Sequence, residues 1–249
     1  MKAIIVAAGM GRRLRPYTDD RPKCLVEVNG KSILARQLEA YRAAGIDEVY
    51  IVRGYMKESI VVDGAKYFSN DDFATNNILA SLFCAEPAMD GGFLFSYSDI
   101  VFRPEVVRTA LMNEGDYALV IDRRWQEAYE GRKDHPVSQA EVARVEGGRV
   151  VRLGKETVPE DRVTGEFIGL ARFSAHAVEE MKARYHLRHK ELSGKPYGTA
   201  PRFEVAYVTD LLNDLIDTGS VMRPAFIDGG WREIDTVEDL ERAKAVVSW

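Results

Sequence analysis

Residues 3–7, Ala-Ile-Ile-Val-Ala, are apolar without interruption and lead directly into a long loop over residues 8–23 rich in Gly, Arg, Pro and Asp. A strand with one wet face alternates apolar and polar residues. An unbroken run is what a strand buried on both faces of a parallel sheet shows. Such a sheet needs crossover helices, so the chain must alternate strand and helix.

The rest of the sequence follows that rule at first. A helix is expected from about Ser32, with Leu34, Leu38 and Tyr41 on one face and Gly45 as its stop. Strands are expected over 49–52, 93–97 and 117–121, with helices over 76–86 and 104–114 between them. After Asp122 the pattern loosens into a polar stretch, 123–140. Residues 142–153 read as a hairpin turning at Gly147-Gly148. A strand at 167–173, helices at 174–185 and 203–218, a short strand at 225–228 and a helix over 236–247 with Thr236 as N-cap complete the expectation. No repeat or linker interrupts it. The expected fold is an α/β, Rossmann-like, mixed but mostly parallel sheet with helices on both faces. It forms a single domain over 1–249, with a nucleotide-binding half at about 1–121 and an acceptor-binding half, carrying an insertion, at about 122–249.

The formal net charge of -5 argues against a nucleic-acid surface, which needs a clustered basic excess. Cys24 and Cys84 make neither a disulfide framework nor a zinc cluster. No window approaches the roughly 20 apolar residues of a membrane span. The opening apolar run is too short for a secretory core. A cytoplasmic protein is expected, with no membrane partner.

The loop reads Ala7-Ala8-Gly9-Met10-Gly11-Arg12-Arg13-Leu14-Arg15-Pro16-Tyr17-Thr18, then Pro22-Lys23. It leaves the carboxyl end of the first strand, where open α/β sheets bind ligands. Glycines let the backbone approach a phosphate, and arginine grips one bidentately. A third fingerprint glycine is missing, which argues against a dinucleotide site, and no Gly-Lys-Ser/Thr makes a P-loop.

Gly-x-Gly-x-Arg-Leu-x-Pro-x-Thr, then Pro-Lys, then Val28-Asn29-Gly30-Lys31 and a helix, resembles the opening of the sugar-phosphate nucleotidyltransferase superfamily. The resemblance implies the nucleotide-diphospho-sugar transferase fold. It places Ala7, Ala8, Gly9, Met10 and Gly11 against the nucleotide, Arg13 on the β- and γ-phosphates, and Lys23 at the reacting α-phosphate. Asn76-Asn77-x-x-x-Ser81 resembles the segment of phosphocholine cytidylyltransferase-like proteins that approaches the nucleotide; a capped helix start reads the same way. CTP is implied by this resemblance alone.

Two acidic sites stand at strand ends: Asp99, and Glu233 with Asp235 in Trp231-Arg232-Glu233-Ile234-Asp235-Thr236. Carboxylates holding Mg²⁺ are what transfer between anions requires. Taken singly, Asp99 also fits a turn and Asp235 a helix N-terminus. The superfamily resemblance implies metal binding for all three. Asp239 reads as a helix-surface charge.

Residues 122–136, with Ala140-Glu141, resemble nucleotidyltransferases that activate phosphonates such as 2-aminoethylphosphonate. Arg123, Arg132 and His135 could meet an anion, Glu141 or Asp134 an amine, and Trp125 or Tyr129 could cover a cation; equally, the stretch could be a flap that closes over the site. Lys155 and Glu166 stand where the superfamily contacts its acceptor, although its Glu-Lys-Pro form is absent. The resulting expectation is Mg²⁺-assisted transfer of CMP from CTP to a small phosphonate. Phosphocholine, a sugar 1-phosphate or an inositol phosphate are alternative acceptors, and an inactive nucleotide-binding regulatory subunit is the alternative of another class. A homodimer is also allowed.

Overall fold

A computed structural model describes residues 1–249. β1 (Lys2–Ala7) leads through the loop to a small hairpin, β2 (Glu27–Val28) and β3 (Lys31–Ser32), and to helix α1 (Ile33–Ala43). Then come β4 (Val49–Arg53), β5 (Lys66–Ser69), α2 (Ile78–Phe83), β6 (Phe93–Tyr97), β7 (Ile100–Phe102), α3 (Pro104–Leu111) and β8 (Tyr117–Asp122). The later segment holds α4 (Gln126–Tyr129), β9 (Val142–Glu146), β10 (Arg149–Gly154), β11 (Gly165–Phe173), α5 (Ala175–Leu192), α6 (Val208–Asp217), β12 (Met222–Ile227), β13 (Trp231–Glu233) and α7 (Val237–Val246).

Nine strands form one sheet in the order β5-β4-β1-β6-β11-β8-β12-β10-β9. β5, β4, β1 and β6 are parallel, and so are β8 and β12. β11 runs against both β6 and β8. The sheet therefore interleaves the two halves of the chain: β11, from the later half, lies between two strands of the earlier one. Because β11 is reversed, its first residues pair with the last residues of β8, Glu166 opposite Asp122, and run past the carboxyl end of β6, whose Ser96 meets Leu170. That reversal brings Glu166 to the same sheet edge as Asp99.

Alternate residues of β1 face opposite ways, as the pleat requires. Ile4 and Val6 join the core against α2, α5 and α6, while Ala3, Ile5 and Ala7 join the core against α1 and α3. A smaller cluster of Leu14, Val26, Val28, Ile33, Val101, Ile234, Leu240, Ala243 and Val247 ties the first loop to the start of α1 and to α7. It holds the loop against the late acidic segment.

Several element boundaries differ from the expectation. The helix expected at 76–86 is only Ile78–Phe83, because Asn76 is tied sideways to Asn70 by two side-chain hydrogen bonds of 2.7 and 3.0 Å and Asn77 is extended. The helix expected at 203–218 starts at Val208, where Asp210 caps it by accepting from the Tyr207 N–H at 2.8 Å. α5 runs on to Leu192, since no breaker occurs before Ser193-Gly194 and Arg184 and Arg188 both grip Asp214 of α6. The short strands β5, β7 and β13 have too few residues to show a period.

Gly169, inside β11, has φ +77°, and a Cβ there would stand 2.2 Å from Tyr97 Cδ2. Two penalties coincide, backbone strain and a blocked ring. Gly169→Ala should therefore cost roughly 2–4 kcal/mol. In thermal unfolding that lowers the midpoint by roughly 5–15 °C, and a shift under about 2 °C would contradict this packing account.

Candidate active site

One cleft of about 400 Å³ opens at the sheet edge where β1 and β6 end and β11 begins. Its lining includes Ala7, Gly9, Gly11, Arg12, Arg13, Lys23, Asn77, Asp99, Glu141, Lys155, Glu166, Tyr207, Glu233 and Asp235. Residues from the first loop, the β6 end, the insertion and the late acidic segment thus share one space.

At its centre Lys23 donates to Asp99 Oδ2 at 2.8 Å and to Asp235 Oδ1 at 2.6 Å. Arg13 holds the other oxygen of Asp235. Lys23 is 8% exposed. Burial alone would lower its pKa, but the two carboxylates outweigh burial and hold it above the ordinary lysine value. Burial likewise works against Asp235, and Lys23 and Arg13 overcome it, so its carboxyl stays below the usual range. The ammonium is therefore charged and fixed in place.

The loop is shaped to allow this. Lys23 sits in a tight turn, Lys23–Leu25, next to buried Cys24. Gly11, at φ +59°, passes so close that a Cβ would lie 2.8 Å from Lys23 Cβ. Gly9 is different: a Cβ there meets nothing within 4 Å. The protein's own packing therefore does not require that glycine, and the space above it is free for a ligand.

Behind the cleft lies a second layer that the sequence reading misplaced. Asp239 is buried, not a surface charge. It accepts from Arg132 Nε at 2.6 Å and from the backbone N–H groups of Asp235 and Thr236 at 3.1 and 2.9 Å, while its own N–H donates to Thr236 Oγ1 at 3.1 Å. This reciprocal capping box fixes the backbone that carries Asp235. The Thr236-x-x-Asp239 spacing was a legible signal for it. Burial would raise the Asp239 pKa, but its His135 and Arg132 hydrogen bonds hold it far below the carboxylate range.

Arg132 and His135 belong to the same layer. Arg132 is turned inward, onto Asp239 and, at 3.3 Å, onto Glu233 Oε2, and it does not line the cleft. Its expected role as an acceptor contact is thereby corrected: the buried Asp239 and the half-buried Glu233 outcompete an exposed anion for it. His135 Nδ1 lies 2.8 Å from Arg132 Nη2 and 3.4 Å from Asp239 Oδ2. Arg123 pairs with Asp228 at the surface, Trp125 packs with Tyr129 inside the insertion, and Tyr129 donates to Glu166 at 2.7 Å.

On the nucleotide side, Asn77 lines the cleft while its Nδ2 donates to Val205 O at 3.1 Å. Asn76 and Ser81 do not line it; both are hydrogen-bonded to Asn70, so they shape its wall from behind. Ala8 is packed under Tyr55, whose N–H its carbonyl receives at 3.0 Å, and Met10 lies beside Arg12, outside the cleft lining.

A family profile described as the MobA-like NTP transferase domain matches residues 3–183. The chain belongs to the MobA-like NTP transferase family. A CTP:phosphoglutamine cytidylyltransferase of Campylobacter jejuni is 32% identical over 97% of this chain and 98% of its own length. A 2-aminoethylphosphonate cytidylyltransferase of Lancefieldella rimae is 28% identical over 76% of this chain and 73% of its own. Among solved structures, the CTP:phosphocholine cytidylyltransferase of Streptococcus pneumoniae superposes with a TM-score of 0.71 at 21% identity, over 98% of both chains, which shows a shared fold. This NTP transferase is thus a nucleotidyltransferase, and the cleft lies where β1 delivers its Gly/Arg loop. No helix is long and apolar enough to cross a membrane.

The second layer of this transferase can be tested through stability. Asp239→Ala leaves Arg132 buried without its main partner and removes the carboxylate half of the α7 capping box, which should cost roughly 3–5 kcal/mol. Urea unfolding measures it, and a loss below about 1 kcal/mol would mean the layer is replaceable by water.

Proposed function

We propose that this NTP transferase moves CMP from CTP to a small acceptor carrying a phosphonate or phosphate, with 2-aminoethylphosphonate as the representative acceptor. The observation that carries the reading is the Lys23 ammonium, clamped between Asp99 and Asp235 at the mouth of the Gly/Arg loop, with Arg13 beside it. CTP and the aminated phosphonate come from the names of the relatives. Phosphoglutamine is a second candidate acceptor, supported by the relative that matches across the whole chain.

Asp99, Glu233 and Asp235 are the residues we assign to Mg²⁺. Their donors are oxygens, as that ion prefers. Asp99 Oδ1 is buried and has no hydrogen-bond partner, an acceptor whose burial is costly until a cation or donor meets it. A bound Mg²⁺ supplies charge neutralisation on the α-phosphate and on the leaving pyrophosphate.

The acceptor oxygen is already anionic near neutral pH and needs no general base. It attacks the α-phosphorus in line. A new P–O bond forms as the bond to the β-phosphate oxygen breaks, and the electron pair leaves with pyrophosphate. Lys23 offsets charge at the reacting phosphorus, Arg13 holds the β- and γ-phosphates, and Gly9 and Gly11 let the nucleotide approach the backbone. Lys155 and Glu166 border the acceptor end of the cleft.

Pyrophosphate release tests this. CTP, UTP, ATP and GTP are crossed with 2-aminoethylphosphonate, phosphoglutamine, phosphocholine and glucose 1-phosphate. Release with CTP and an aminated phosphonate or phosphate is expected, and release only with another nucleotide would overturn the CTP assignment. Lys23→Met should lower kcat by roughly 100–1000-fold while the protein still folds. Near-normal turnover in that variant would remove the mechanism.

A further inference from the structure

Five carboxylates line the cleft, and their counter-ions divide them. Asp99 and Asp235 are paired with Lys23, and Glu233 lies 3.3 Å from Arg132. Glu141 and Glu166 are buried, yet no lysine, arginine or histidine nitrogen comes within 4.0 Å of either. Each accepts a single tyrosine hydroxyl: Tyr97 on Glu141 Oε2 at 2.9 Å, Tyr129 on Glu166 Oε1 at 2.7 Å. A buried carboxylate without a counter-ion is either neutral or waiting for one.

The two differ in what they can offer. Glu166 Oε2 is sealed from solvent with no partner, and burial holds the carboxyl well above the usual range. Glu141 Oε1 takes no hydrogen bond and is not sealed; it remains open in the cleft. Burial pushes Glu141 up to about 7, against the pull of Lys155 and Tyr97. A cation arriving at Oε1 would complete its ionisation.

The surrounding rings decide the kind of cation. A quaternary ammonium is held by open aromatic faces, whereas a primary ammonium is held by hydrogen-bond acceptors. Of the four rings that line the cleft, Phe167 and Trp231 are buried, and Tyr97 and Tyr207 already have partners. Tyr97 packs edge-on with Phe95 and Phe167 and lies over Gly169. Tyr207 already carries Lys155 Nζ 5.3 Å from its ring centre. What is open is the carboxylate oxygen.

From this we infer that Glu141 is the acceptor-specificity residue, receiving a primary ammonium group on its free oxygen, and that the cleft discriminates against acceptors bearing a trimethylammonium. The inference rests on the transfer reading above and narrows the acceptor class to primary amines. Glu141 precedes β9, and its backbone carbonyl accepts from the Phe167 N–H at 2.8 Å, so the side chain is held against β11 and cannot swing away with the rest of the insertion.

Binding, which needs no turnover, tests it. Calorimetry on the full-length protein compares 2-aminoethylphosphonate, its N,N,N-trimethyl derivative and ethylphosphonate. We expect the primary amine to bind at least about tenfold more tightly than either of the others, a difference on the scale of one charge-assisted hydrogen bond. Glu141→Gln should reduce that preference to about threefold or less. Equal binding of the trimethyl compound, or no binding of any of the three, overturns the inference. So does a Glu141→Gln protein that melts like the parent and retains the full preference. The wild-type ligand series alone decides the point should the variant fail to fold. Pyrophosphate release with CTP and another acceptor, alongside equal or absent binding here, would leave the transfer reading standing and remove only this one.

Discussion

A lysine ammonium held out of water between two carboxylates is the interaction on which the rest of this site depends. Removing such an ammonium from water is costly and is repaid only when its partners are fixed in geometry. Each partner here is fixed by a different part of the fold. Asp99 follows a buried central strand, and Asp235 sits on a backbone locked by the Thr236–Asp239 capping box. Lys23 itself lies in a turn that Gly11 alone allows to pass so closely. The cluster built from Leu14, Val26, Ile234 and Leu240 then holds loop and acidic segment together. Apolar packing thus sets the distance across which the charges act.

The insertion after Asp122 has two faces with separate tasks. Arg132 and His135 point away from the cleft and brace Glu233 and Asp239 from behind. Glu141, at the end of the same stretch, points into the cleft. One segment therefore both stiffens the acidic arm and presents an acceptor-reading carboxylate. The reversed strand β11 makes this possible, because it brings the second half of the chain to the same sheet edge as the first.

Much of this was legible in the residues. The unbroken run in β1 announced a doubly buried strand, and the glycine and arginine pattern after it announced the loop. Asp99 was readable because it follows an expected strand, and Glu233 and Asp235 through the resemblance of the segment from Trp231 to Thr236 to the superfamily. What escaped were properties set by tertiary pairing. The inward turn of Arg132 depends on Asp239, more than a hundred positions away, and no local pattern encodes that distance. The late start of the helix expected at 76–86 depends on Asn70. The strands β5, β7 and β13 exist because a neighbour pairs with them; their own sequences are too short to declare a period. Asp239 is the instructive case, since its capping-box spacing was visible while its burial was not.

We propose that Lys23, Asp99 and Asp235 form one electrostatic centre that receives the cation and the triphosphate together. Its most direct test is Mn²⁺ binding, followed by electron paramagnetic resonance, with CTP present and no acceptor. Wild type and Asp99→Asn are compared after matching their thermal stability. The account predicts that Mn²⁺ affinity falls by roughly tenfold or more in the variant, as loss of a ligand or of its support does elsewhere. Unchanged affinity in a folded Asp99→Asn protein would contradict it and would place the cation outside the Lys23 junction.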